Sequence, residues 1–221
     1  MISSKEIFNN LKLPSKKWQH YFDIYDRHFE RFRDKSPTIL EIGIDRGGSL
    51  ELWHKMFDNP KIYAVDANPE VKDIKFDFDV AIEIGDQGDL NFWQTYIKNK
   101  PQFDIIVDDG GHNMHQQINS LTSLFPHLNF NGIYLVEDTH TSYVKAYGGG
   151  FHKPDSFIEI VKTFIDLLNV EFIVDIDPPD HVARTFFNLT NISFYNSIVV
   201  MEKTVRPKIV PAEVNFAKSD S

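Results

Sequence analysis

An alternation of element types constrains this chain most. Five short apolar, β-branched runs, at Thr38–Ile44, Lys61–Val65, Val80–Ile84, Phe103–Val107 and Ile133–Val136, are interleaved with segments of helical period at Ser49–Phe57, Leu90–Ile97, His115–Phe125 and Asp155–Leu168. A run without polar alternation is a strand buried on both faces, and strands separated by helices pair in parallel through crossovers. The expected fold is α/β, a Rossmann-like, doubly wound and mostly parallel sheet. The last third departs from this pattern: Val170–Val174 and Ser197–Lys203 are strand-like with no clear helix between them, which predicts an antiparallel C-terminal hairpin at the sheet edge. With 221 residues, 42% of them apolar, the chain can bury one ordinary core and would be cramped as two. One domain is expected over 1–203. It opens with a helical segment over 1–36, where Trp18, Phe22, Tyr25 and Phe29 approach helical spacing as a core-packed face, and is followed by an extended or frayed tail over 204–221.

Two of the runs end abruptly in acid, in Phe103-Asp-Ile-Ile-Val-Asp-Asp-Gly-Gly-His112 and in Asn131-Gly-Ile-Tyr-Leu-Val-Glu-Asp138. Neighbouring carboxylates at the mouth of a core cost several kcal/mol to desolvate unless a cation or hydrogen bonds compensate. Asp108, Asp109, Glu137 and Asp138 therefore imply a positively charged occupant. Oxygen donors suit a hard divalent ion such as Mg2+, and His112 stands close by as a candidate base. In a regular strand Glu137 and Asp138 would point to opposite faces, so both reach one ion only if the strand bends or ends there.

The first run leads through Ile39-Leu-Glu-Ile-Gly-Ile-Asp-Arg-Gly-Gly-Ser49, a strand, a glycine turn and a helix start. In a doubly wound sheet this marks the cofactor crevice, where glycines admit a ligand close to the backbone and free N–H groups meet a carboxylate or phosphate. The spacing is Glu41-x-Gly43-x-x-x-Gly47 rather than G-x-G-x-x-G, which counts against a nicotinamide-dependent oxidoreductase on the same fold. Asp66 ends the next run about 20 residues on, where a ribose would present its hydroxyls; its plainer reading is a helix cap before Pro69. Asp86 and Gln87 could read an adenine, though a turn built from Gly and Asp explains them equally.

Together, Glu41–Leu50, Gly85–Asp89, Asp108–His112 and Glu137–Tyr143 resemble the class I S-adenosylmethionine-dependent methyltransferases. More narrowly, they resemble the Mg2+-dependent sugar O-methyltransferases of macrolide and aminocoumarin antibiotic pathways, a group that includes proteins labelled cephalosporin hydroxylase. The resemblance runs from about Trp18 to Lys203 and departs at Gly111, where the family usually has Ser. It implies S-adenosylmethionine as cofactor, held by Glu41, Gly43, Gly47, Gly48, Ser49, Asp66, Asp86, Gln87 and Asp108. It further implies Mg2+ held by Asp109, Glu137 and Asp138, with His112 deprotonating the acceptor hydroxyl. Such an arrangement makes chemical sense, because an alcohol is too weakly acidic to attack a methyl group without charge stabilisation and a base. The acceptor would be a sugar on a surface polysaccharide, a nucleotide or an antibiotic glycoside. His140, Tyr143 and Tyr147, in and beside the glycine-rich stretch Thr141–Phe151, read as acceptor contacts of a mobile lid.

A net charge of −9 without a Lys/Arg cluster disfavours nucleic acid and anionic membrane surfaces, and Lys16-Lys17 and Arg31-Phe-Arg33 read as solvated helix faces. The absence of cysteine excludes disulfides, zinc thiolates and thiol nucleophiles. No apolar run approaches a membrane span, and the N-terminus lacks the apolar core of a secretion signal. A cytoplasmic enzyme with a small-molecule or glycan acceptor is expected, as a monomer or a homo-oligomer. A pseudoenzyme that binds cofactor or glycan is the non-catalytic alternative.

Overall fold

The computed structural model describes residues 2–172, 185–208 and 210. The apolar runs become five parallel strands: β1 (Thr38–Ile42), β2 (Lys61–Asp66), β3 (Val80–Ile84), β4 (Phe103–Asp108) and β5 (Leu128–Val136). β6 (Leu189–Phe194) and β7 (Val199–Lys203) pair antiparallel, and β7 runs antiparallel to β5, giving the order β3-β2-β1-β4-β5-β7-β6. The winding reverses between β1 and β4. At such a switch point the crevice beyond the carboxyl ends of the strands is left open for a ligand.

Helices cover both faces. α1 (Ser4–Phe8), α2 (Tyr21–Phe29) and α3 (Gly48–Met56) pack one core around the fully buried Tyr25, Phe29 and Trp53. α4 (Leu90–Tyr96), α5 (Met114–Leu124) and α6 (Phe157–Leu168) pack the other around Trp93, Phe125 and Phe157. Side chains alternate between these faces along each strand. Ile105 and Val107 of β4, with Ile133 and Leu135 of β5, join the α2–α3 core, whereas Ile106, Tyr134 and Val136 join the α5–α6 core. The same parity carries Asp108 to the α5 side and Glu137 to the α2 side. Among the described residues no helix is long and apolar enough to cross a membrane.

Three expectations change. The antiparallel hairpin exists, but its outer strand is Leu189–Phe194. Val170–Phe172 is instead a 3-10 turn, because helix-type bonding continues past α6 through Asn169 N–H to Asp166 and Phe172 N–H to Asn169; residues 173 and 174 lie outside the described residues. Within the helical segment expected over 1–36, the helix carrying Phe22, Tyr25 and Phe29 begins only at Tyr21 and ends in a 3-10 turn at Glu30–Phe32, so Trp18 lies outside it and is exposed. The chain after β7 is extended but anchored. Thr204 N–H donates to Asn188, and the Arg206 guanidinium donates to the carbonyls of Leu167, Leu168, Phe187 and Leu189, satisfying carbonyls at the end of α6. The tail expected beyond it, at 209 and 211–221, lies outside the described residues.

Candidate active site

β1 hands the chain to Gly43, whose φ of +91° and tight surroundings leave no room for a side chain: a Cβ there would lie 2.1 Å from the Asp109 carbonyl oxygen. The turn and the start of α3 open on a cavity of about 280 Å³ lined by Gly43, Gly48, Ser49, Asp66, Gln87 and Asp109 among others. Asp66 Oδ2 accepts from Ile44 N–H at 2.7 Å and Oδ1 from Asn68 N–H at 2.8 Å, so it braces the turn while facing the cavity. Its reading as a helix cap falls: Asn68 caps the turn at Pro69–Asp73.

Four of the predicted cofactor residues do not line this cavity. Gly47, at φ +86°, sets the start of α3 and faces the Phe76 ring. Asp86 is exposed and accepts from Gly88 N–H at 2.8 Å, an ordinary Asx turn. Glu41 and Asp108 lie beneath the floor, fully buried by strand parity. Burial pushes the Glu41 carboxyl up to about 7 against the pull of Lys17 and Ser49; Oε2 accepts from Trp53 Nε1 at 3.1 Å. Burial likewise raises Asp108 to about 6, although it accepts from Ser120 Oγ and from Gln87 Nε2 at 2.6 Å. Gln87 also accepts from Gly111 N–H at 2.9 Å, so its amide holds Asp108 and the Gly110–Gly111 turn together rather than reading a base.

The acids beyond β4 and β5 meet on the other side of Asp109. One donor atom from each of Asp109, His112 and Asp138 lies within 4.8 Å of the others, with His112 Nε2 3.7 Å from Asp109 Oδ1 and 3.6 Å from Asp138 Oδ2. His112 (φ +57°) and Asp138 (φ +52°) both hold the left-handed backbone that non-glycine residues adopt at a cost. This resolves the geometry of Glu137 and Asp138. The strand ends at Val136, Glu137 keeps its parity toward α2, and the left-handed Asp138 turns its carboxylate back beside His112.

Glu137 is met by two groups from the N-terminal segment. Its Oε1 accepts from Tyr25 Oη at 2.6 Å and its Oε2 from Lys17 Nζ at 2.9 Å; the same ammonium reaches Asp109 Oδ2 at 2.6 Å. Lys17 is therefore not on a solvated helix face. Its side chain is 3% exposed, and although burial opposes its charge, Asp109 and Glu137 outweigh that and hold it well above the usual lysine range. Burial and the Asp109 charge push the Glu137 carboxyl up, with Lys17 and Tyr25 pulling it back. Tyr21 Oη donates to Asp138 Oδ1 at 2.6 Å. Lys17, Trp18 and Tyr21 join Asp109, Glu137, Asp138 and His140 around a second cavity of about 230 Å³, which shares Lys16, Lys17 and Asp109 with the first. Local sequence carried no sign of the roles of Lys17, Trp18, Tyr21 and Tyr25, which arise from docking of the N-terminal segment across the sheet.

The predicted acceptor contacts divide. His140 lines the acid cavity, its Nδ1 2.6 Å from Ser197 Oγ. Tyr143 lines a groove with Ile165 and Phe194 that meets the acid cavity at His140, and Tyr147 lines neither of the two cavities above. The glycine-rich stretch expected as a mobile lid forms 3-10 turns at Thr139–Tyr143 and Lys145–Tyr147. They are tied down by Thr141 Oγ1 to the His112 carbonyl at 3.1 Å and by Gly150 N–H to Ser142 at 2.8 Å. His115 is exposed on α5, and His127 bonds the Pro101 carbonyl, away from both cavities.

The sheet order and the crevice at its switch point define an α/β fold of the methyltransferase type. The MycE methyltransferase of mycinamycin biosynthesis, solved with Mg and SAH, matches it with a TM-score of 0.82 at 25% identity, over 96% of this chain and 57% of that one. In sequence the chain resembles sugar O-methyltransferases of macrolide and tetracenomycin pathways. Among them are mycinamicin VI 2''-O-methyltransferase of Micromonospora griseorubida (30% identity, 90% of this chain and 52% of the relative) and L-olivosyl-oleandolide 3-O-methyltransferase of Streptomyces antibioticus (34%, 81% and 50%). The chain spans about half the length of these curated relatives. No protein-family model matches it.

Proposed function

We propose that this chain transfers the methyl group of S-adenosylmethionine to a sugar hydroxyl, with Mg2+ in the acid cluster and His112 as the base. The observation that carries this reading is the wall shared by the two cavities. Asp109 and Lys17 line both, so a methyl donor seated on the glycine turn would face a hydroxyl seated among the acids. The likeness to sugar O-methyltransferases supports the chemistry.

The residues fit both groups. Gly43 lines the cavity and lets the end of β1 pass close against the Asp109 backbone, and Asp66 faces the same space with carboxylate oxygens suited to ribose hydroxyls. Asp109 and Asp138, with Glu137 behind them, form an oxygen donor set for a hard divalent ion beside the His112 imidazole, and the ammonium that already lies against Asp109 and Glu137 marks their demand for positive charge. When bound, the sulfonium supplies an electrophilic methyl group and the cation stabilises negative charge developing on the acceptor oxygen. The protein's own part is alignment and proton removal. Asp109 and Asp138 fix the acceptor edge, His112 Nε2 between them takes the hydroxyl proton, and Tyr21 and Tyr25 hold the carboxylates through their hydroxyls. The relatives' glycoside substrates point to a glycosidic sugar as acceptor.

The test is transfer of labelled methyl from S-adenosylmethionine to a panel of glycosides and nucleotide-linked sugars. Chelator should abolish it and Mg2+ restore it. Full activity in excess chelator would refute the metal part, and transfer to none of the sugars would refute the acceptor class.

A further inference from the structure

Trp18 stands where no helix holds it, at the rim of the acid cavity. We propose that its indole is the stacking platform for the acceptor's pyranose ring, a specificity-determining contact that rests on the sugar methyltransferase reading above. The neighbouring Lys17 is anchored in the acid cluster at 3% exposure, while Trp18 itself is 56% exposed and forms part of the cavity wall. The position is built: the Trp18 carbonyl accepts from Tyr21 N–H at 3.0 Å, and the indole meets the His140 ring edge-on, at 87° with centroids 6.3 Å apart. An exposed tryptophan held in place by its flanks, rather than by burial of its own ring, is a surface prepared for a ligand.

The cavity, of about 230 Å³, is amphipathic. Its floor is acidic, with Asp109, Glu137 and Asp138, whereas the Trp18 wall is flat and apolar. A pyranose has that duality: hydroxyls on its edge and a face of axial C–H groups. Stacking the C–H face on the indole turns the hydroxyl edge to the acids, of which Asp109 and Asp138 flank His112. An open-chain polyol offers the same vicinal hydroxyls and no such face. The platform would therefore select ring sugars over chain polyols independently of the chemistry at the acids.

The protein supplies its own probe. Of its three tryptophans, Trp53 and Trp93 are fully buried, so acrylamide quenching of intrinsic fluorescence reports on Trp18. With cofactor and Mg2+ present, methyl α-L-rhamnopyranoside, methyl β-D-glucopyranoside and methyl β-D-galactopyranoside are titrated alongside their open-chain alditols. At least one pyranoside should protect Trp18 from quenching and its alditol should not. Trp18→Ala should raise the KM for the best pyranoside about 5–10-fold, with kcat and the KM for S-adenosylmethionine unchanged, and Trp18→Phe should restore most of the loss. An unchanged sugar KM in Trp18→Ala, or equal protection by alditols, overturns the platform while leaving methyl transfer to sugars intact. Failure of every pyranoside to protect Trp18 also overturns it, and the labelled-methyl screen then shows separately whether the sugar reading survives.

Discussion

Replacing Lys17 by methionine keeps most of its length and apolar stem and removes one charge from the acid cluster. The ammonium lies 2.6 Å from Asp109 Oδ2 and 2.9 Å from Glu137 Oε2 with 3% of the side chain exposed. Glu137 itself is 1% exposed. Removing one partner of a buried ion pair costs about 3–5 kcal/mol, because the charge left behind stays desolvated. For a chain of this size that corresponds to a fall in Tm of roughly 6–20 °C. The measurement is thermal unfolding followed by circular dichroism in chelator, with Lys16→Met as the exposed control, expected to stay within about 0.5 kcal/mol of the parent. Because the acids require a cation, millimolar Mg2+ should recover more of the loss in Lys17→Met than it adds to the parent. A fall in Tm of less than about 2 °C in chelator would mean a pair of surface strength and would refute the buried arrangement.

Three further outcomes follow from the geometry. His112→Gln should cut the rate of methyl transfer by about 10²–10⁴-fold with S-adenosylmethionine affinity nearly unchanged, since the imidazole faces the acids rather than the cofactor cavity; normal single-turnover rates would assign the base elsewhere. Gly43→Ala, with its Cβ driven against the Asp109 carbonyl at φ +91°, should cost roughly 2–5 kcal/mol of stability and abolish cofactor binding by calorimetry; an intact isotherm would refute the close crossing of the two loops. Glu202, held down to about 2 by His28 first and then by Arg31, prefers its ionised form in the folded state. Its contribution is therefore present above the ordinary value of 4.5 and lost as pH falls from there toward 2. Glu202→Gln should cost about 1 kcal/mol near neutral pH and flatten that acid limb, and superimposable acid unfolding curves would count against it.

The sequence by itself determined the sheet and the mouth of the site. Strands buried on both faces must be continuous apolar runs, so β1 to β5 were legible, and carboxylates at the ends of two of them could only emerge at the carboxyl edge. The Gly43 turn was legible because its backbone admits no side chain. Tertiary structure decided which acids face the cavities. Strand parity sends Asp108 inward to Ser120 and Gln87 and leaves Asp109 facing the cavities, while the left-handed turn at Asp138, invisible in composition, reverses the direction a strand would have given it. The outer strand of the hairpin was misplaced because Val170–Phe172 continues the i→i−3 bonding at the end of α6, which its β-branched composition does not show. Least legible was the N-terminal segment. Lys17 has the local look of a solvated helix face and Trp18 that of a core-packed one, yet Lys17 is buried and Trp18 exposed, because only the docking of that segment across the sheet places an ammonium between two carboxylates and an indole beside His140.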